Sequence, residues 1–184
     1  MWDSRPWYAE VIARLSGGSA LQVAGELEAG ASIVRMAEDY QVSKARLTRA
    51  AKDDGGSIQL YEGVLQTLDG LRERRTLVGI VSNLPGWLVT PLLQSTGLEG
   101  YIAATATPRP GVLAKPKPHG IRRVLHETGR AADSRTWFVG DGAVDAEAAA
   151  AAGVQFAWAS YGYYTEAPPG MAKVLKRFDD VLQL

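Results

Sequence analysis

Thr136-Trp137-Phe138-Val139-Gly140-Asp141-Gly142-Ala143-Val144-Asp145 is the stretch on which the reading of this chain turns. It opens as a short apolar run with aromatic and β-branched residues, the pattern of a buried strand. The run stops at Gly140-Asp141-Gly142, a turn signal. Asp145-Ala146-Glu147 and five successive alanines come next, a strong helix former closed by Gly153 just past its end. The reading is strand, tight loop, helix. Asp141 and Asp145 stand where the strand gives way to the helix. Open α/β sheets bind ligands outside the carboxyl ends of their strands. Two carboxylates there suit Mg²⁺, a hard cation held by one or two carboxylates plus waters and substrate phosphates. The same two residues also serve, with no ligand, as a turn residue and a first-turn residue of a helix. This stretch alone leaves both roles open.

Working outward, the 184 residues suffice for one domain with a sizeable core and a small subdomain. Lys plus Arg is 20 and Asp plus Glu is 20, so the formal net charge is zero. Nothing in that balance drives the chain toward nucleic acid or an anionic membrane. There are no cysteines, which excludes disulfides and thiolate metal sites and fits a reducing cytoplasm. The N-terminus carries Asp3, Arg5, Trp7 and Glu10 and has no apolar run, so no signal peptide is expected. No apolar segment is long enough for a membrane span.

Taken in order, the first 56 residues read as short helices with no strand. They run from about Arg5 to Leu15, Ser19 to Glu28 (stopped by Gly30), Ala31 to Tyr40, and from an N-cap at Ser43 to about Lys52. The pattern then changes. A helix opens at Tyr61-Glu62-Gly63, and Thr76 to Val81 is an apolar strand ending at Ser82-Asn83. Pro85 to Ser95 is helical and Tyr101 to Thr105 is a short strand. Thr107 to Pro118 is a loop with four prolines and three basic residues. Pro118 to Thr128 is a helix, and Val154 to Ala159 is a strand beyond the opening stretch. The tail reads as a Tyr-rich loop, a Pro168-Pro169-Gly170 turn and short helices. Strands alternating with helices predict a parallel sheet with right-handed crossovers. Continuous apolar runs fit strands covered on both faces.

Polar groups gather at three strand-associated places. Ser82 and Asn83 end one strand, and Asp141 and Asp145 lie just past another. Between them in sequence lies Ala114-Lys115-Pro116-Lys117-Pro118-His119, a proline-stiffened basic loop. An ammonium, a hydroxyl and a carboxylate pair converging on one crevice make a phosphate site.

These three segments, Val81-Ser82-Asn83, Lys115-Pro116-Lys117-Pro118 and Val139-Gly140-Asp141-Gly142-Ala143-Val144-Asp145, resemble motifs two to four of the haloacid-dehalogenase (HAD) superfamily. The closest resemblance is to its phosphoglycolate-phosphatase-like members. Tyr61-Glu62-Gly63-Val64, Trp158 to Tyr164 and Arg177 to Leu184 extend it over nearly the whole chain. The resemblance implies a Rossmann-like parallel sheet with a small helical cap, residues 1–57 forming the cap and 58–184 the α/β core. It implies Mg²⁺-dependent hydrolysis of a small phosphomonoester through an aspartyl phosphate. Ser82 would bind the transferring phosphoryl group, Lys115 would stabilise its charge, and Asn83 would shape the phosphate loop. Asp141 would hold Mg²⁺, with Asp145 as second carboxylate. Lys115 is preferred to Lys117 because the family places its lysine before the first proline of this loop. The partner implied is a small phosphorylated substrate in the cytoplasm. No membrane and no nucleic acid is expected, and a homodimer stays open.

One departure is large. The family's first motif is an apolar strand ending in Asp-x-Asp-Gly-Thr, whose first Asp is the nucleophile. No such segment occurs in these residues. Trp2-Asp3-Ser4-Arg5-Pro6 resembles the residues directly after that motif, and Asp3 matches a non-catalytic position. The expectation is a sheet without its first, central strand, and little or no activity for the chain as given. An initiator assigned downstream of that strand explains the pattern, since the other motifs have not drifted. A pseudoenzyme acting as a binding or regulatory protein is the alternative. A third reading is a helix-turn-helix over Ala31 to Ala50, with Lys44, Arg46 and Arg49 on its second helix. The usual turn glycine is absent from it.

Overall fold

The computed structural model describes residues 5–29 and 31–184. The resemblance at Trp2–Ser4 and the helix stop at Gly30 lie outside the described residues. In chain order the helices are α1 (Arg5–Ser16), α2 (Ala20–Glu28), α3 (Ile33–Asp39), α4 (Lys44–Asp53), α5 (Val64–Glu73), α6 (Gly86–Ser95), α7 (His119–Glu127) and α8 (Ala143–Ala152). The strands are β1 (Val78–Val81), β2 (Ile102–Ala106), β3 (Trp137–Gly140), β4 (Gln155–Ala159) and β5 (Lys173–Leu175). They fall into two compact units. One is helical and runs through Leu60, adding Trp87–Glu99; the other holds Tyr61–Gly86 and Gly100–Leu184.

In the helical unit, α1 buries Trp7, Tyr8, Val11 and Ile12, the face that the spacing predicts. The Trp7 and Tyr8 rings meet edge to face with centroids 4.9 Å apart. The Trp7 indole donates to the Asp54 carbonyl at 3.2 Å. α6 joins this unit through Ser95, whose hydroxyl donates to the Ala51 carbonyl at 3.1 Å. Among the described residues this unit has no strand.

In the second unit every strand pairing is parallel. β1 pairs with β2, bringing Val81 opposite Ala106. β3 pairs with β4, bringing Gly140 opposite Trp158, and β4 pairs with β5. β5 corrects the expectation of short helices throughout the tail. Three residues give no readable period, and Lys173–Leu175 becomes a strand only through pairing with β4. Only Phe178–Gln183 beyond it is helical, as a 3₁₀ turn.

The described residues form two sheets, β1-β2 and β3-β4-β5, so that among them β1 and β3 each bond along one side only. One layer of helix packs behind both. Ile121 of α7, Ala146, Ala148, Ala149 and Ala152 of α8, and Phe156 of β4 make one buried cluster, against which Val81 of β1 and Phe138 of β3 both pack. The alanine run lets α8 lie close to the sheet. β1 and β3 nevertheless keep their apolar residues only half buried, while Phe156, Ala157 and Ala159 of β4 are buried. A parallel strand flanked on both sides buries such residues.

Candidate active site

The carboxyl ends of β1 and β3 carry the expected groups, and two side chains join them. Asn83, just past β1, clasps the backbone of Lys115. Its amide donates to the Lys115 carbonyl at 3.1 Å and its carbonyl accepts the Lys115 N–H at 2.7 Å. The Lys115 ammonium then reaches Asp145 Oδ1 at 2.6 Å, with both side chains largely withdrawn from water. It also sits 5.6 Å from the centre of the Phe138 ring. Lys117 is exposed. Ser82 donates its N–H to the Ala106 carbonyl at 3.0 Å, which seats it at the end of the sheet. Its Oγ accepts the Leu84 N–H at 3.1 Å, which leaves the hydroxyl proton for an outside acceptor.

Asp145 is buried, and both of its oxygens are engaged. While Oδ1 meets Lys115, Oδ2 accepts the N–H groups of Asp141 and Gly142, each at 3.2 Å. It occupies the first turn of α8, where a carboxylate is favoured by the orphan N–H groups and the helix dipole. Gly140 makes room for it: a Cβ there would overlap the Asp145 Cβ.

Asp141 faces the other way. Its Oδ2 accepts the Tyr163 N–H at 2.7 Å, and its carbonyl accepts the Trp158 indole N–H at 3.2 Å. A Cβ on Gly162 would overlap the Asp141 side chain, so that position must be glycine. Asp141 Oδ1 has no partner among the described residues. Tyr161 packs edge to face on Tyr61 with centroids 5.1 Å apart. Burial, with Tyr61, Asp141 and Asp180 nearby, pushes the Tyr161 phenol well above the ordinary tyrosine range. Trp158, Gly162 and Tyr163 are the residues that sequence reasoning missed. The only signal was a glycine set among tyrosines after a strand.

The donor set fits a Mg²⁺ ion held by few protein ligands: Asp141 Oδ1 has no partner among the described residues, and Asp145 Oδ1 has Lys115 as its one partner. Among the described residues no group of three His, Cys, Asp or Glu could hold a metal.

The haloacid dehalogenase-like hydrolase family matches residues 9–159. The chain belongs to that family. It is 36% identical over 136 residues to a phosphoglycolate phosphatase of Pectobacterium atrosepticum, covering 71% of this chain and 56% of the relative. It is 33% identical over 150 residues to the phosphoglycolate phosphatase of Rhodospirillum rubrum, covering 79% and 61%. The chain thus spans little more than half the length of these curated relatives. A HAD-superfamily hydrolase of subfamily IA from Geobacter sulfurreducens shares the fold with a TM-score of 0.70 at 22% identity, covering all of this chain and 93% of that one. The HAD-like fold and the phosphoglycolate-phosphatase-like affinity of the sequence therefore stand. No helix among the described residues is long and apolar enough to cross a membrane.

Proposed function

We propose that this chain carries the phosphate- and metal-binding half of a Mg²⁺-dependent phosphatase acting on a small cytoplasmic phosphomonoester, with phosphoglycolate the first to try. The observation that carries the reading is Lys115. Asn83 holds its backbone and Asp145 its ammonium, while Asp141 Oδ1 and the Ser82 hydroxyl proton have no partner among the described residues. In this reading Ser82 donates to a phosphoryl oxygen and Lys115 offsets the phosphate charge. Asn83 and Asp145 position Lys115, and Asp141 is the direct metal ligand. Bound Mg²⁺ supplies polarisation of the phosphoryl group and neutralises its charge. Residues 1–57 act as the helical cap and 58–184 as the core, with Trp87–Glu99 packed among the cap helices.

None of these side chains is placed to attack phosphorus, and the 184 residues contain no Asp-x-Asp-Gly-Thr. Turnover through an aspartyl phosphate requires that carboxylate in line with the leaving group. The half-buried β1 and β3, whose Val81 and Phe138 pack on one cluster, would suit one further parallel strand, whose carboxyl end would bring the nucleophile toward Lys115. Without it the chain binds rather than hydrolyses, which is also what the pseudoenzyme reading requires. Calorimetric titration with Mg²⁺ and inorganic phosphate tests the assignment. Weak, mutually dependent binding that Asp141→Asn abolishes is the expected result. Tight Mg²⁺ binding that survives Asp141→Asn contradicts it.

A further inference from the structure

α3 and α4 are joined by a short hydrogen-bonded turn over Tyr40 to Ser43. Gln41 donates its N–H to the Glu38 carbonyl at 2.9 Å, and Val42 donates to the Ala37 carbonyl at 2.7 Å. With Gln41 at φ 56° this is a Schellman motif, in which a non-glycine residue takes the left-handed position. Ser43 caps α4 by accepting the Arg46 N–H at 3.3 Å. Met36, Ala37, Val42, Leu47 and Ala50 are buried on the inner side. The Tyr40 hydroxyl donates to Glu26 of α2 at 2.9 Å, tying the turn down. The absent turn glycine therefore does not prevent the turn between α3 and α4 from closing.

The outer side of α4 is basic and open. Lys44, Ala45, Thr48, Arg49, Lys52 and Asp53 line one surface hollow, with Arg46 exposed beside it. Some exposed arginines elsewhere pair with carboxylates, such as Arg35 with Asp39 and Arg123 with Glu127, while Arg75, Arg109 and Arg130 stand singly among the described residues; α4 differs in gathering four cations on one short helix. No carboxylate among the described residues pairs with Lys44, Arg46, Arg49 or Lys52. Lys44 lies 5.3 Å from the centre of the Trp87 ring, a contact that leaves its charge in place. A solvated helix face is normally laced with i,i+4 ion pairs. This face leaves its cations to an outside anion. Residues 44 to 52 span about 12 Å at 1.5 Å per residue, and a helix of that kind fits the major groove of B-DNA.

We propose that the basic face of α4 binds double-stranded DNA, with α4 in the major groove and Lys44, Arg49 and Lys52 against its phosphates and base edges. The proposal does not depend on the phosphatase reading, and loss of one leaves the other untouched. The charge complementarity is local to α4, so a net charge of zero is no obstacle.

The test is fluorescence anisotropy of the full chain with a labelled mixed-sequence duplex of about 20 base pairs, from about 25 to 200 mM NaCl. The expected result is binding at low salt with a log–log salt slope near −3, about −0.9 for each phosphate contact. Lys44→Gln with Arg49→Gln should flatten that slope by about 2 while the melting temperature stays at the parent value. Thr48→Glu, which puts a carboxylate in the middle of the hollow, should abolish binding and serves as the second probe. No binding at the lowest salt, or an unchanged slope in the double variant, overturns the proposal. So does equal affinity for single-stranded RNA or for phosphatidylserine vesicles.

Discussion

Lys115 and Asp145 show how much of this site rests on one contact. The pair is 2.6 Å apart and mostly withdrawn from water. Removing the cation alone strands a buried carboxylate, whose two backbone donors satisfy only Oδ2. Lys115→Met should therefore lower stability by about 2–3 kcal/mol. Lys115→Met with Asp145→Asn should recover part of that, and a double-mutant cycle by urea unfolding measures the coupling. A coupling near zero would mean that the pair does not hold the loop. Tyr8 is the opposite case. Its ring is fully buried, and its hydroxyl finds no hydrogen-bond partner among the described residues. Tyr8→Phe should leave stability unchanged or raise it by about 1 kcal/mol. Burial pushes the Tyr8 phenol far above its ordinary value. The folded state therefore keeps a proton that the unfolded chain releases at high pH. Stability is full below the ordinary tyrosine pKa of about 10 and falls as pH rises past it. Thermal melts of Tyr8→Phe between neutral and alkaline pH should show a shallower fall than the parent. An equally steep fall would remove Tyr8 from the account.

At the scale of elements, several helix ends share a left-handed residue that is glycine in some and not in others. α6, α7 and α8 stop at Gly97, Gly129 and Gly153, each with positive φ. α3 and α5 stop the same way at Gln41 and Arg75, with φ of 56° and 57°. A side chain there carries a steric penalty that glycine lacks. Gln41→Gly should therefore stabilise the chain by about 0.5–1 kcal/mol, seen as a rise of about 2 °C in melting temperature. A fall would mean that the Gln41 side chain makes a compensating contact. The glycine stops were legible in the sequence because glycine announces the left-handed residue. Gln41 and Arg75 were not, since nothing local marks them; carbonyls of the preceding turn impose that conformation once each helix is packed.

For the whole molecule, the division of the strands into two sheets has a direct consequence. Among the described residues β1 and β3 each lack a strand partner on one edge, and their apolar side chains are half buried. Unpaired backbone groups and exposed apolar strands both weaken a fold. The 184 residues should show no Mg²⁺-dependent hydrolysis of p-nitrophenyl phosphate above background. Fusing an N-terminal apolar strand that ends in Asp-x-Asp-Gly-Thr should raise both melting temperature and Mg²⁺-dependent turnover. Enzyme-like turnover by the unfused chain would show that another group attacks phosphorus. A fusion that melts no higher would show that β1 and β3 do not form a strand site.

The α/β class, the parallel order and the seat of Asp141 at a strand's carboxyl end were all legible in the sequence. Apolar runs, helix caps and glycine stops are properties of a few consecutive residues, and local windows display them. The partners were decided only in the folded chain. Asp145 was expected beside Asp141 as a second metal carboxylate, because the two are neighbours in sequence. The fold also gives Asp145 the Lys115 ammonium and two N–H groups as partners, while Asp141 leans on Trp158 and the backbone of Tyr163, and neither set of partners could be read from the local sequence. β5 and the grouping of α6 with the first helices likewise exist only as pairings between distant segments. Such contacts depend on which surfaces are buried against each other, and that balance is struck over the whole chain at once rather than within any stretch of it.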